Sequence, residues 1–333
     1  MRNTRPLRAL AAPAFAVALV ASPVSASQWP DWQSAHFQDH PLVGTIWQGD
    51  GSQTARAALS GAVLAADYVL LGEIHSNPDH HRIQAMLIDG LTAKGRRPAI
   101  VFEMIPAGLQ GRLDDYLAAN PDDAAGLGPA VDWQKRSWPD WSIYRPIAEA
   151  ALTAGLQLKA AGLDRSLVQQ IGKTGAAALD PALSERLGLD RPLEPALETS
   201  RMEVLKESHC DLLPEAALKP ILTVQRARDG ALADAMLAAG KNDGAVLIAG
   251  SGHVRRDWAV AAVIKSRVAD AQTVSVALVE VYEEHDMFSD YGLAPDGADL
   301  PFDYVIFTPR VDQTDHCAEL AERFGKKQPQ KGR

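Results

Sequence analysis

Leu70-Leu71-Gly72-Glu73-Ile74-His75-Ser76-Asn77-Pro78 is the stretch that decides the fold. Tyr68 to Leu71 form a short apolar run of the kind a buried strand requires. Gly72 ends it, and Glu73 and His75 follow at alternate positions, which in extended backbone share a face. Asn77 suits a helix N-cap and Pro78 the first helical turn. Asp79 to Lys94 is then amphipathic, with Ile83, Met86, Leu87 and Leu91 at helical spacing. A carboxylate and an imidazole thus stand between the C-terminal end of a strand and the N-terminus of a helix, where open α/β sheets bind ligands.

Outward from this stretch the pattern recurs. The apolar run Pro98 to Glu103 ends on an acid, Leu156 to Ala161 is followed by Asp164 and Arg165, and Ala245 to Ala249 runs into Gly250-Ser251-Gly252-His253. Thr273 to Tyr282 and Tyr304 to Phe307 read as the last strands. Helical periodicity covers Leu109 to Leu117, Ile147 to Ala154, Leu218 to Ala239 and Arg256 to Lys265. Strands alternating with helices predict an α/β fold with a mostly parallel central sheet flanked by helices. Residues 165 to 215 are helical, polar and proline-bearing, so a helical lid or cap is expected within about 110–240. Residues 27 to 60, with Trp29, Trp32 and Trp47, read as a lead-in on the domain edge. One domain is expected over 27–323, followed by a disordered basic tail.

Residues 1 to 26 read as a signal peptide: Arg2, Arg5 and Arg8 precede the apolar run Leu10 to Val20, and Val24-Ser25-Ala26 offers small residues for cleavage. A transmembrane anchor is the competing reading, but the run is too short to span a bilayer. No cysteine closes the leader, which argues against a lipid anchor; a periplasmic or secreted protein is expected. The chain carries 33 basic and 42 acidic residues, and removing the leader's three arginines makes the remainder more acidic still. That balance argues against nucleic acid and anionic lipid as partners, and no further apolar run predicts a membrane span. With 333 residues, 47% of them hydrophobic, a sizeable core is available. Cys210 and Cys317 are the only cysteines, and in an exported chain a disulfide is the favoured reading over two buried thiols.

Glu73, His75, Glu103, Asp164 and His253 each follow an apolar run at its C-terminal end, so a parallel sheet would gather them along one edge. Asp164 could equally cap the helix after it. Glu73, His75, Glu103 and His253 could hold a borderline divalent metal such as zinc or manganese and acidify a bound water. Without metal, Glu73 could orient His75 as a general base. His80 and His81 read as a solvated helix start. Arg145 and Arg228 could clamp an anion, Arg228 equally a neighbouring acid. Trp133, Trp138, Trp141 and Tyr144 could floor a planar ligand or pin a lid to the core. There is no Walker loop and no Gly-x-Gly-x-x-Gly, and no nucleophile elbow supports a triad through Ser251.

At these residues the chain resembles the ChaN-like haem-binding uptake family, in the superfamily that also holds Tiki-type metalloproteases and erythromycin esterases. The resemblance rests on Leu71 to Pro78, Phe102-Glu103-Met104, Trp141 to Pro146, Gln225 to Asp229 and Ala249 to His253. It implies an envelope protein handling haem or haem iron, with Tyr144, His75 or His209 as the iron ligand and arginines on the propionates. The superfamily's hydrolytic branches imply the alternative, a metal-dependent or Glu/His-based esterase or peptidase using Glu73, His75, Glu103 and His253. Haem or another small planar ligand is therefore the expected partner, with a homodimer as the protein-level possibility.

Overall fold

The structure, a computed structural model, describes residues 29–293 and 300–325; the expected leader and most of the expected tail lie outside them. Among the described residues, eight strands form one sheet: β1 (Ile46–Gln48), β2 (Gln53–Thr54), β3 (Tyr68–Glu73), β4 (Ala99–Pro106), β5 (Leu158–Gly162), β6 (Ala245–Gly250), β7 (Thr273–Glu280) and β8 (Tyr304–Thr308). Their order is β2-β1-β8-β7-β3-β6-β4-β5. Six adjacent strands from β8 to β5 run parallel, and β1 and β2 close one edge antiparallel.

β3 lies between β6 and β7, fully buried, which is why its residues read as one continuous apolar run rather than an alternation. Odd-numbered residues of β3 point to a core built with α2 (Pro78–Ala93) and α5 (Trp141–Thr153). Even-numbered ones point to a second core under α9 (Glu215–Ala239) and α10 (Val260–Arg267). The remaining helices are α1 (Arg56–Ala65), α3 (Gln110–Ala119), α4 (Ala124–Ala130), α6 (Arg165–Thr174), α7 (Pro181–Arg186), α8 (Pro195–Ser208) and α11 (His316–Gly325). Helices α6, α7 and α8 pack along α9, and a small apolar cluster of Ile171, Leu179, Leu187, Leu189 and Ala227 joins part of this layer. No helix among the described residues is long and apolar enough to cross a membrane.

Two elements differ from expectation. The lead-in is no mere edge packing, because it contributes β1, β2 and α1. Helix α5 begins at Trp141 rather than after Pro146: Asp140 caps it by accepting from Ser142 N, and Pro146 is carried inside the helix. Burial of Tyr144, Ile147, Ala148 and Ala151 outweighs the lost hydrogen bond.

Cys210 and Cys317 are disulfide-bonded, joining the end of α8 to α11 across 107 residues of sequence. A disulfide typically stabilises a fold by roughly 2–4 kcal/mol. Cys210→Ser or Cys317→Ser is expected to lower the unfolding free energy by that amount in urea titrations, and dithiothreitol should lower the wild type to the same level. Variants as stable as the oxidised protein would show that the bond only decorates the surface.

Candidate active site

The strand register assembles the site. Glu73 pairs with Gly250 and Phe102 with Ile248, so the C-terminal ends of β3, β4 and β6 lie level. A Cβ on Gly72 would stand 2.4 Å from Val254 and 3.0 Å from Ser251 Cα, so only glycine lets the Ser251–His253 turn close over β3. Asn77 performs the expected cap, accepting from Asp79 N at 2.9 Å and His80 N at 3.3 Å. Its amide donates to Glu280 Oε1 and to Pro309 O, locking the turn to β7 and to the chain after β8.

Two hydrogen-bonded groups result. In the first, Glu73 has no solvent-exposed side-chain surface and stands behind His75. Its Oε1 accepts from Tyr144 OH at 2.6 Å and lies 2.9 Å from His75 Nδ1, while Oε2 accepts from Gln84 Nε2 at 2.8 Å and lies 3.4 Å from His81 Nε2. Burial alone would raise the Glu73 pKa, but the charge of His81 and the hydrogen bonds of His75 and His81 hold it well below the usual range. Burial works against charging His75 too, yet the bond and charge of Glu73 and the charge of Glu103 leave its pKa raised. Burial and Glu73 push the Tyr144 phenol well above its ordinary value, so it stays a neutral donor.

In the second group, Glu103 Oε1 lies 3.4 Å from His253 Nε2, and Glu103 Oε2 accepts from Gly250 N at 2.9 Å. His253 Nδ1 is 2.7 Å from Asp229 Oδ1 on α9, and Asp229 Oδ2 accepts from Arg201 Nη2 of α8 at 2.8 Å. Desolvation favours the neutral forms, but the facing charges prevail. Glu103 is pulled down to about 2, chiefly by His253, and His253 is pushed up to about 10 by Glu103 and Asp229. His253 is therefore an imidazolium near neutral pH, fixed between two carboxylates.

These shifts set the pH dependence of stability. His253, raised from 6.5 to about 10, contributes fully below pH 6.5, and its contribution is lost as pH climbs to about 10. His80, buried as the neutral ring and lowered to about 3, costs stability as pH falls from 6.5 towards 3. Glu103 adds its loss from pH 4.5 down to about 2. Urea unfolding should show a maximum near pH 6.5 with a fall on both sides, and His253→Gln should flatten the alkaline limb. A wild-type profile level from pH 6.5 to 10 would contradict this.

Between these groups and the α8–α9 layer lies a cavity of about 450 Å³. His75, Glu103, His253, Trp138 and Arg228 line it, with apolar wall from Leu205, Leu222 and Trp258. His75 keeps 30% of its side chain accessible, and the Trp138 ring meets it edge-on at 4.7 Å. With Nδ1 held by Glu73, Nε2 is the nitrogen turned to the open space; a Cβ on Gly250 would stand 3.1 Å from it.

The other expected site residues fall elsewhere. Tyr144 is fully buried behind His75 and presents nothing to the cavity. Arg145, one residue on, faces outward and pairs with Glu149 at 3.0 Å. His209 ends α8 with Nδ1 2.7 Å from Leu205 O, and it does not line the cavity. Asp164 is exposed before α6 and joins neither group. Trp133 and Trp141 are core residues, which leaves Trp138 alone of the four aromatics at the ligand face. Among the described residues no three of His, Cys, Asp and Glu are placed to hold a metal ion; of the four expected metal ligands, Glu73 and Glu103 each face a histidine.

His80 and His81 correct the expectation of a solvated helix start, for both are fully buried. His80 Nδ1 accepts from Ile74 N and its Nε2 bonds Thr308 Oγ1 at 2.8 Å, while the His81 ring lies 3.9 Å from that of Tyr144. Arg201, Gln84 and the role of Asp229 were not anticipated. Gln84 follows His81 by three positions on one helix face, a spacing that marks both as inward; nothing local to α8 marks Arg201.

The model of the family described as haem-binding uptake, Tiki superfamily, ChaN matches residues 59–264. Among solved structures, a ChaN of Campylobacter jejuni described with cofacial haem binding aligns at 21% identity with a TM-score of 0.60, covering 78% of this chain and 95% of that one. An erythromycin esterase variant in its open conformation aligns at 15% identity with a TM-score of 0.46, covering 82% and 99%. The first likeness concerns the fold. No curated protein matches the sequence.

Proposed function

Because the chain belongs to the haem-binding uptake family of the Tiki superfamily that includes ChaN, we propose that it binds haem outside the cytoplasm, periplasmic or secreted, in haem or iron uptake. The observation that carries this reading is His75: Nδ1 is held by a buried carboxylate and Nε2 faces a cavity, the arrangement by which proteins orient a metal-ligating imidazole. The residues present fit the group. Haem held there would supply an iron for which the Nε2 of His75 is the free donor. Glu73, Tyr144 and Gln84 fix the ring of His75, Trp138 and the α8–α9 apolar wall cover a planar body and exclude water, and Arg228 offers a cation to its acidic edge. The Cys210–Cys317 bond supports an oxidising compartment. The deciding measurement is a haemin titration: a Soret band should rise and saturate at a defined stoichiometry, whereas a trace matching that of an unrelated acidic protein would end the proposal.

One observation favours a second reading. A carboxylate-backed imidazole open at Nε2 is also a general base for activating water, and the Glu103–His253 pair lines the same cavity. An esterase and peptidase screen in which wild type and His75→Ala are equally inactive would remove the hydrolase.

A further inference from the structure

A second, smaller compartment of about 180 Å³ adjoins the cavity and shares Glu103, Trp138 and Arg228 with it. Three arginines reach this compartment: Arg136, Arg165 and Arg228. Arg228, on α9, and Arg165, at the start of α6, make no hydrogen bond or ion pair with any described residue. Arg136 donates one nitrogen to Val131 O, but its Nε is buried without an acceptor. The nearby acids do not neutralise this set. Glu103 faces the His253 imidazolium at 3.4 Å, and Asp132 is engaged by Arg112 and Lys135. An excess of guanidinium therefore surrounds a pocket of about 180 Å³, ample for a carboxylate or a phosphate and well below the size of a porphyrin macrocycle.

We propose that this compartment is an anion-binding subsite, taking a carboxylate or phosphate substituent of a ligand whose planar body lies in the larger cavity against His75 and Trp138. Guanidinium suits this because its fork of donors matches the two oxygens of such a group. If the body is haem, which rests on the preceding reading, the substituent is a propionate. Trp138 then does two jobs. Its ring edge abuts His75, and its Nε1 is fixed to Met104 O at 3.1 Å, so it forms a stiff partition over which the acid arm must bend.

The test compares haemin with its dimethyl ester, whose acid arms are neutral, by absorbance titration. Wild type should bind the diacid at least about tenfold tighter, the usual scale for charge-assisted hydrogen bonds. Arg228→Gln and Arg165→Gln should each bring the two ligands close to parity, while Arg145→Gln, on the outer face of α5, should keep the preference. Equal affinities in wild type would overturn the subsite and leave haem binding intact. If neither porphyrin binds, the haem reading fails, and inorganic phosphate becomes the probe. At constant ionic strength, a rise in melting temperature in wild type that is absent in Arg228→Gln upholds the subsite, and no rise in wild type overturns it.

Discussion

His75→Ala is expected to remove the haemin Soret shift of the folded protein, leaving only the nonspecific absorbance that any acidic protein shows. His75 is the one expected iron-ligand residue whose free nitrogen faces the cavity; Tyr144 is spent on Glu73, and His209 on the end of α8. The residues behind it should act in graded fashion. Glu73→Gln keeps the volume but removes the charge that holds Nδ1–H, and substitutions of this kind cost roughly 10–100-fold in metal affinity. Tyr144→Phe removes one donor to Glu73 and should fall at the mild end of that range. Gly250→Ala would place a methyl 3.1 Å from Nε2 and weaken binding while keeping the backbone N–H that Glu103 accepts from. Circular dichroism and urea unfolding establish that each variant is folded. A folded His75→Ala protein with wild-type haemin affinity would transfer the ligand role elsewhere and undo the orientation argument.

The second large effect concerns Asp229. It is 1% exposed and lies between the His253 imidazolium and the Arg201 guanidinium, 2.7 and 2.8 Å away. Asp229→Ala leaves two buried cations without their shared anion, a situation that costs roughly 3–5 kcal/mol. Asp229→Asn should restore part of this by keeping the hydrogen-bond acceptor. A specific accompaniment separates loss of charge from loss of packing. With one carboxylate gone, His253 should deprotonate at lower pH, moving the alkaline limb of the stability profile downward. Urea midpoints of wild type, Asp229→Ala and Asp229→Asn across pH 6.5 to 10 provide the measurement; an unchanged midpoint in Asp229→Ala would show that the network is spectator to the fold.

How far the sequence discloses this molecule depends on whether a signal is local. The strand ending at Glu73, the Asn77 cap and the Gly250–His253 turn are visible because each is written in consecutive residues with a fixed backbone consequence. The convergence of Glu73, His75, Glu103 and His253 follows from parallel strands, and it is found at the level ends of β3, β4 and β6. Asp164 stands at a strand end as well, but β5 is the sheet edge and its loop leads into an exposed helix, so position alone did not bring it in. Tyr144 and Arg145 could not both face inward, since neighbouring helical residues are about 100° apart; packing against α2 chose the tyrosine. His80 and His81 look polar and terminal, yet the start of α2 is roofed by β8 through Thr308 and floored by Glu73, contacts made by residues more than two hundred positions away or on another element. Arg201 is illegible for the same reason: its partners are Asp229, on a different helix, and the Trp258 carbonyl.

The turn that presents His75 is braced by both extremities of the described chain. Ser34 shares Asn77 and Asp79 from one side; Glu280, Thr308 and Pro309 reach Asn77 and His80 from the other. Contacts of such separation form slowly, after their loops have closed. During synthesis the imidazole should therefore stay unoriented until the last strand has emerged and docked, so that capture of a ligand is a property of the finished molecule rather than of any growing fragment.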